Sequence, residues 1–310
     1  MKSGKILILG SSNMDVVVEV DHMPSAGETI MASSKVLIPG GKGANQAYAA
    51  AILGGDAIFL GMIGSDDDGK ALIENLKNVG VDTSHMDVTG LLPSGSTFLM
   101  VNKEGNNSII VIPGANTLCT EDYIMRHEQA LSDCDIFMTQ MEIPETCVHS
   151  TIIRAKKAGK ITILDPAPAP ESIPDKVLKA VDYLTPNETE LEHLTNIPAN
   201  SIEAIKRGAK ILLEKGVGNV LVTMGANGSL LVNSEGIRHF PSPKVNAVDS
   251  TAAGDTFNAA FAVSLSEGNS VEDSISFASH AAALSVCKKG AQISIPTREE
   301  TETFINKINY

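Results

Sequence analysis

The chain has 310 residues, 43% of them apolar, and a formal charge of −13 from 24 Lys and Arg against 37 Asp and Glu. That apolar share supplies a buried core and excludes a disordered chain, and the length suits one large α/β domain or one domain with a small appendage. The negative charge repels nucleic acid and anionic membrane surfaces, and without Trp and with aromatics at 4% the chain offers no platform for stacking many bases.

The opening Met-Lys-Ser-Gly-Lys enters a short apolar run, too brief for a signal h-region or a membrane span. Lys5-Ile-Leu-Ile-Leu9, ended by Gly10, reads as a buried parallel strand. Val16–Val20 and the stretches 28–38, 96–101 and 108–112 are strand-like, the last two joined by the turn-like Lys103–Asn107. These four segments predict a small antiparallel sheet apart from the main core. From about residue 130, short apolar strands (135–139, 161–164, 183–184, 220–223) alternate with helix-like segments (145–158, 171–180, 188–194, 201–215). That rhythm predicts a doubly wound, mostly parallel α/β sheet, which binds ligands beyond the carboxyl ends of its strands. Gly10, Gln140 to Glu142, Asp165, Pro186-Asn187 and Met224-Gly225 fall at those ends. The cysteines (Cys119, Cys134, Cys147, Cys287) lack C-x-x-C and metal-ligand spacing, so reduced core thiols in a cytoplasmic protein are expected.

Ile38-Pro-Gly-Gly-Lys-Gly-Ala-Asn-Gln-Ala47 leads into a helix-forming run, Tyr48 to Leu53, closed by Gly54-Gly55. It is not a Walker A loop, since Gly43 rather than Ser or Thr follows the Lys, and the first strand carries no G-x-G-x-x-G. Its glycines allow close approach of a ligand, with Lys42 and Asn45 as donors. Asn13 and Asp15 are polar groups suited to vicinal hydroxyls, although a turn also explains Asp15. Glu142 reads either as a site carboxylate or as a solvated loop acid. In Asn187-Glu-Thr-Glu190, helix capping accounts for Asn187, and the pair could equally organise a hydrated Mg²⁺. Thr223-Met-Gly-Ala-Asn-Gly228 suits a nucleotide or a plain hairpin turn into Ser229–Val232.

Asp249-Ser-Thr-Ala-Ala-Gly-Asp255 runs straight into an apolar, helix-compatible segment. Amides at a helix start carry partial positive charge, and Ala252, Ala253 and Gly254 leave them uncovered for an anion. Asp255 adds a proton acceptor beside that cradle, a combination suited to moving a phosphoryl group onto a hydroxyl. Taken alone, the motif also reads as a capped turn.

Together these segments, in order from Gly10 to Gln292, resemble the ribokinase branch of the PfkB carbohydrate kinase family. Gly40-Gly-Lys-Gly-Ala-Asn45 with Gly54 and Gly64 is similar to its first signature, Asp249 to Asn258 to its second, and Asn187 with Glu190 to its N-x-x-E element. The resemblance implies a single ribokinase-like domain over 1–310, with a β-sheet lid within about 16–38 and 96–112 that doubles as a homodimer interface. It implies ATP-dependent phosphorylation of D-ribose at its primary (O5) hydroxyl. Asp255 would be the catalytic base, with the amides of Ala252, Ala253 and Gly254 stabilising the phosphoryl charge. Asn13, Met14, Asp15, Gly41, Lys42, Gly43, Ala44, Asn45 and Glu142 would surround the sugar. Asn187, Thr223, Met224, Gly225, Ala226, Asn227 and Gly228 would line the ATP site, with Glu190 acting on Mg²⁺ through water. A K⁺ site would involve Asp249, Thr251, Ser285, Lys288, Gly290 and Ser294. Phe277-Ala-Ser-His280 departs from the family pattern, which leaves the adenine contact at Ser279 or His280 open. Kinases for deoxyribose, fructose or a nucleoside, and a non-catalytic sugar-binding protein, stand as alternatives. The polar sugar site and scarce aromatics favour a small polyol, and Asn13 favours ribose.

Overall fold

The computed structural model describes residues 4–308, so both ends of the expected 1–310 domain lie outside the described residues. Its strands are β1 Lys5–Leu9, β2 Asn13–Val20, β3 Ala32–Gly40, β4 Asp56–Gly64, β5 Met86–Thr89, β6 Gly95–Asn102, β7 Asn107–Ile112, β8 Ile136–Thr139, β9 Ile161–Leu164, β10 Tyr183–Leu184, β11 Asn219–Thr223, β12 Ser229–Asn233 and β13 Gly236–Phe240. The large sheet runs β13-β12-β11-β10-β9-β8-β1-β4-β5, and every pairing from β11 through β5 is parallel. Only β12 and β13 pair antiparallel, at one edge. After Lys5, β1 is an unbroken apolar run because both its faces are covered. Leu7 and Leu9 pack with Phe137 and Leu164 on one side, and Ile6 and Ile8 with Met138, Ile163 and Phe261 on the other.

Two helices matter most for the site. Lys42–Ile52 and Ala253–Ser266 pack against one another. Their shared core includes Ala44, Ala47, Ala259 and Ala260, small residues that let the two backbones come close. The first helix starts at Lys42, not at Tyr48 as expected, because Gly41 turns the chain sharply after β3. Its φ of +87° suits glycine, and a Cβ there would sit 2.9 Å from the Asn13 amide nitrogen.

The small sheet has the order β3-β2-β6-β7. Antiparallel pairing throughout was expected, and the structure corrects this: β2 and β6 are parallel, with Asn13 opposite Gly95. β2 follows β1 and β6 follows β5, so both strands leave the large sheet in the same direction. A second correction concerns 171–180, where only Asp175–Leu178 is helical; Pro174, in extended conformation, begins that short turn. Among the described residues no helix is long and apolar enough to cross a membrane.

Candidate active site

The strand order places β1 between β4 on one side and β8 on the other, so the chain winds outward in opposite directions from the β1/β8 boundary. A crevice opens beyond the carboxyl ends of strands at such a boundary. Ser11 follows β1 and Glu142 follows β8. There the Ser11 hydroxyl donates to Glu142 Oε2 at 2.5 Å, and the same oxygen accepts from the Lys42 amide at 3.0 Å. The helix beginning at Lys42 therefore starts on a carboxylate, as its dipole favours. Gly10 and Gly43 touch: a Cβ on Gly43 would lie 2.6 Å from Gly10 Cα. Gly43 and Ala44 thus let the helix sit close over the end of β1.

Asp255 occupies the first turn of the helix Ala253–Ser266, and only 6% of it is exposed. Its Oδ2 accepts from Asn45 Nδ2 at 3.0 Å and its Oδ1 from Gln46 Nε2 at 3.1 Å. Burial pushes its pKa up, while Lys42 and the two amides pull the other way. Ala252 takes a left-handed conformation, φ +60°, at the start of this turn. The Ala253 amide donates back to Ser250 O at 3.2 Å, whereas among the described residues the Ala252, Gly254 and Asp255 amides have no hydrogen-bond partner. Gly254 is exposed, and a Cβ there would meet nothing within 4 Å. The turn is open.

Lys42 lies among four carboxylates. Burial disfavours its charge, but Asp255, Asp165, Glu142 and Glu190 together outweigh that and hold its pKa above the ordinary lysine value. Asp165, just after β9, is buried, and desolvation lifts its pKa to about 7 against the pull of Lys42. Asp15 projects from β2 of the small sheet, its carboxylate over Gly40, where any Cβ would collide with it. Burial raises its pKa to about 6, opposed by the Thr97 hydroxyl and reinforced by Glu142. Asn13 and Met14 are buried; Asn13 Oδ1 accepts from Asn116 Nδ2 at 2.8 Å, which commits part of that side chain to structure.

Asn187 and Glu190 form a reciprocal capping box at the helix Glu188–Thr195. Both Glu190 oxygens accept from Asn187, at 2.8 and 2.9 Å. Burial raises the Glu190 pKa, reinforced by Asp255 and opposed by the Asn187 hydrogen bonds and by Lys42. Each oxygen retains a lone pair, which leaves it able to accept from a metal-bound water. Thr223 pairs with Asn187, and Gly225, Ala226 and Asn227 are exposed in the turn that follows Met224. Gly225 is open to solvent; Gly228 is structural, since a Cβ there would lie 1.9 Å from Phe240 O.

Asp249 is fixed by three donors, the Thr251 amide and hydroxyl and the Gly290 amide, which outweigh desolvation and lower its pKa. The buried Ser285 and Ser294 hydroxyls donate to Ala282 and Ala291 carbonyls, and the Lys288 ammonium pairs with Glu300 at 3.1 Å. Ser279 donates to Ile275 O, and His280 rests edge-on against Phe304.

Four contributors were not assigned roles from sequence: Ser11, Gln46, Gln140 and Asp165. Gln46 Nε2 bridges Asp255 and Asp165, and its Oε1 accepts from Gln140 Nε2. Asp165 and Gln140 did fall at strand ends, and Gln46 shares a helical turn with Asn45, so their positions were readable although their contacts were not.

The model of the pfkB family of carbohydrate kinases matches residues 3–298. A ribokinase of Haemophilus influenzae is 39% identical over 97% of this chain and 98% of its own. Among solved structures, ribokinase from Thermotoga maritima superposes with a TM-score of 0.91 at 44% identity, covering 98% of this chain and 99% of that one. Arabidopsis thaliana ribokinase complexed with ribose and ATP gives 0.91 at 36% identity, with 98% and 99% covered.

Proposed function

The chain belongs to the pfkB family of carbohydrate kinases, and from that premise we propose that it transfers the γ-phosphoryl group of ATP to the O5 hydroxyl of D-ribose. The carrying observation is Asp255, buried at the head of a helix with the unpartnered Gly254 and Asp255 amides beside it and open space at Gly254. A sugar hydroxyl is a very weak acid, so Asp255 orients it and takes its proton late, as the O5–phosphorus bond forms and the bond to ADP breaks. The free amides stabilise charge on the transferring phosphoryl group. Because the Ala253 amide is turned onto Ser250, the anion cradle rests on Ala252, Gly254 and Asp255 rather than on Ala252 to Gly254.

Asp15 and Asn13, on β2, with Lys42, Asn45 and Glu142, surround the sugar. Lys42 offsets the surrounding carboxylates, which would otherwise repel phosphate in a chain already at −13. Asn187 and the 223–228 turn line the nucleotide. Mg²⁺ carried by the phosphates would supply charge neutralisation there, and Glu190 would hold it through a bound water. K⁺ would be held mainly by main-chain carbonyls around Asp249, Thr251, Ser285, Lys288, Gly290 and Ser294.

The small sheet would serve as lid and homodimer surface. Register puts Leu37, Val16, Phe98 and Ile110 in one row on the face opposite Asp15 and Thr97. Leu37, Phe98 and Ile110 are exposed large apolar side chains, the pattern of an interface. A cytoplasmic location completes the reading. Coupled ADP release with Mg-ATP across ribose, deoxyribose and fructose, in K⁺ and in Na⁺, tests it. Ribose should give the highest kcat/KM, and K⁺ should support more turnover than Na⁺. If no pentose releases ADP in either salt, the proposal fails.

A further inference from the structure

Asp255 is the end point of two chains of side-chain amides. One runs from Asn75 Nδ2 to Gln292 Oε1 at 2.6 Å, from Gln292 Nε2 to Asn45 Oδ1 at 3.1 Å, and from Asn45 Nδ2 to Asp255 Oδ2 at 3.0 Å. The other runs from Gln140 Nε2 to Gln46 Oε1 at 2.5 Å, and from Gln46 Nε2 to Asp255 Oδ1 at 3.1 Å, with Asp165 Oδ2 taking the second Gln46 hydrogen at 2.9 Å. Gln292, Asn45, Gln46 and Gln140 are all buried, so none of these groups can turn to water instead.

The direction of each chain follows from chemistry. An ionised carboxylate only accepts, so Asn45 must present its NH₂ to Asp255, which leaves its oxygen for Gln292 and the Gln292 oxygen for Asn75. Hydrogen bonds in series polarise one another, and each donor end here points at the same carboxylate.

We propose that these two amide chains are the positioning device of the phosphoryl acceptor site, with Asn75, Gln292, Gln46 and Gln140 as positioning residues that hold the Asp255 carboxylate ionised and aimed at the substrate hydroxyl. Asn75 is only half-buried on the helix Asp67–Asn78, two amides away from Asp255. It touches neither substrate in the reading above, yet its NH₂ is the donor that lets Gln292 and Asn45 keep the orientation Asp255 imposes. The proposal rests on that reading for the identity of the base, and not for the geometry of the chains.

Asn75 gives a test whose sign a purely structural role would not produce. In Asn75→Ala, water replaces the lost donor and the chain weakens without turning round. In the isosteric Asn75→Asp, the new carboxylate accepts from Gln292, which must flip, and Asn45 must then turn its oxygen toward Asp255. The near-isosteric variant should therefore be the worse one, with kcat down about tenfold against about threefold for the alanine variant, and ribose KM moving less than either. Melting temperatures should barely change. A packing role predicts the opposite order.

The substrate-free readout is the ¹³C carboxyl resonance of Asp255, assigned by its loss in Asp255→Asn. Its titration should move upward in Asn75→Asp, because Asn45 turns its donor away from the carboxylate, and by less in Gln292→Leu, where Asn45 still donates but loses the partner that polarises it, while Lys42, Glu142 and Asp165 stay in place. Kinase activity absent from the wild type would overturn the assignment of function and leave this titration to decide the inference. If the Asp255 titration is unmoved and both Asn75 variants turn over like wild type, the chains do not position the base.

Discussion

Asp255→Asn tests the chemistry most directly, and the structure says what it changes. The carboxylate accepts one hydrogen bond on each oxygen, from Asn45 and from Gln46. An amide accepts on one side only, so its NH₂ must face one of those two donors, at a cost of about 1–3 kcal/mol for the unpaired group. The same change removes a buried charge, whose pKa burial already pushes upward, and this offsets part of that cost. Stability should accordingly move little. Turnover should not be spared, since the amide cannot take the hydroxyl proton: loss of a general base is about 10²–10⁴-fold in kcat, or about 2.7–5.4 kcal/mol of barrier. Steady-state ADP release at saturating Mg-ATP gives kcat, and calorimetry gives ribose affinity, which should change only modestly. A folded Asp255→Asn enzyme with near-wild-type kcat would remove Asp255 from the mechanism.

Gly254→Ala should leave the fold intact or slightly more stable, by about 0.5–1 kcal/mol, because a Cβ there meets nothing within 4 Å in a helical turn. It should still lower kcat about tenfold or more by intruding on the anion cradle, and unchanged turnover would place the phosphate elsewhere. In the proposed reading Asp15 binds the sugar as a carboxylate, so ribose KM should rise as pH falls through about 6, a limb that Asp15→Asn should lose. The linkage sign follows from the raised folded-state pKa. Its stabilising contribution is complete below the ordinary aspartate value of 3.8 and is lost as pH rises through about 6, so Asp15→Asn should raise the melting temperature at pH 8 and not at pH 4. Ile110→Glu puts a charge in the apolar row of the small sheet; light scattering should show a dimer in the wild type and a monomer in the variant, and two identical masses would move the interface off this face.

The parts of the site that sequence made readable are those written in contiguous motifs. Asp255, Gly254 and Asn45 sit in short runs whose composition already specifies an open turn, a helix start and a directed donor. The strand ends were readable as well, because apolar runs stopped at Gly10, Asp165 and Met224. Gln46 and Asp165 lacked a role because hydrogen bonds between positions 119 and 209 apart leave no local trace. The parallel pairing of β2 with β6 was hidden for a related reason: direction depends on where each strand leaves the large sheet, and neither strand carries that information.

By itself the sequence determined which segments become buried strands, which turn is left open at a helix start and which carboxylate stands beside it. These are set by residues within a few positions of each other, through backbone freedom, side-chain size and periodic burial. Tertiary structure alone decided how that carboxylate is held, through amides brought over it by two alanine-rich helices. It also decided that Lys42 carries its charge among four acids drawn from separate parts of the chain. Such outcomes depend on distances between remote parts of the chain, and those exist only once the core has packed.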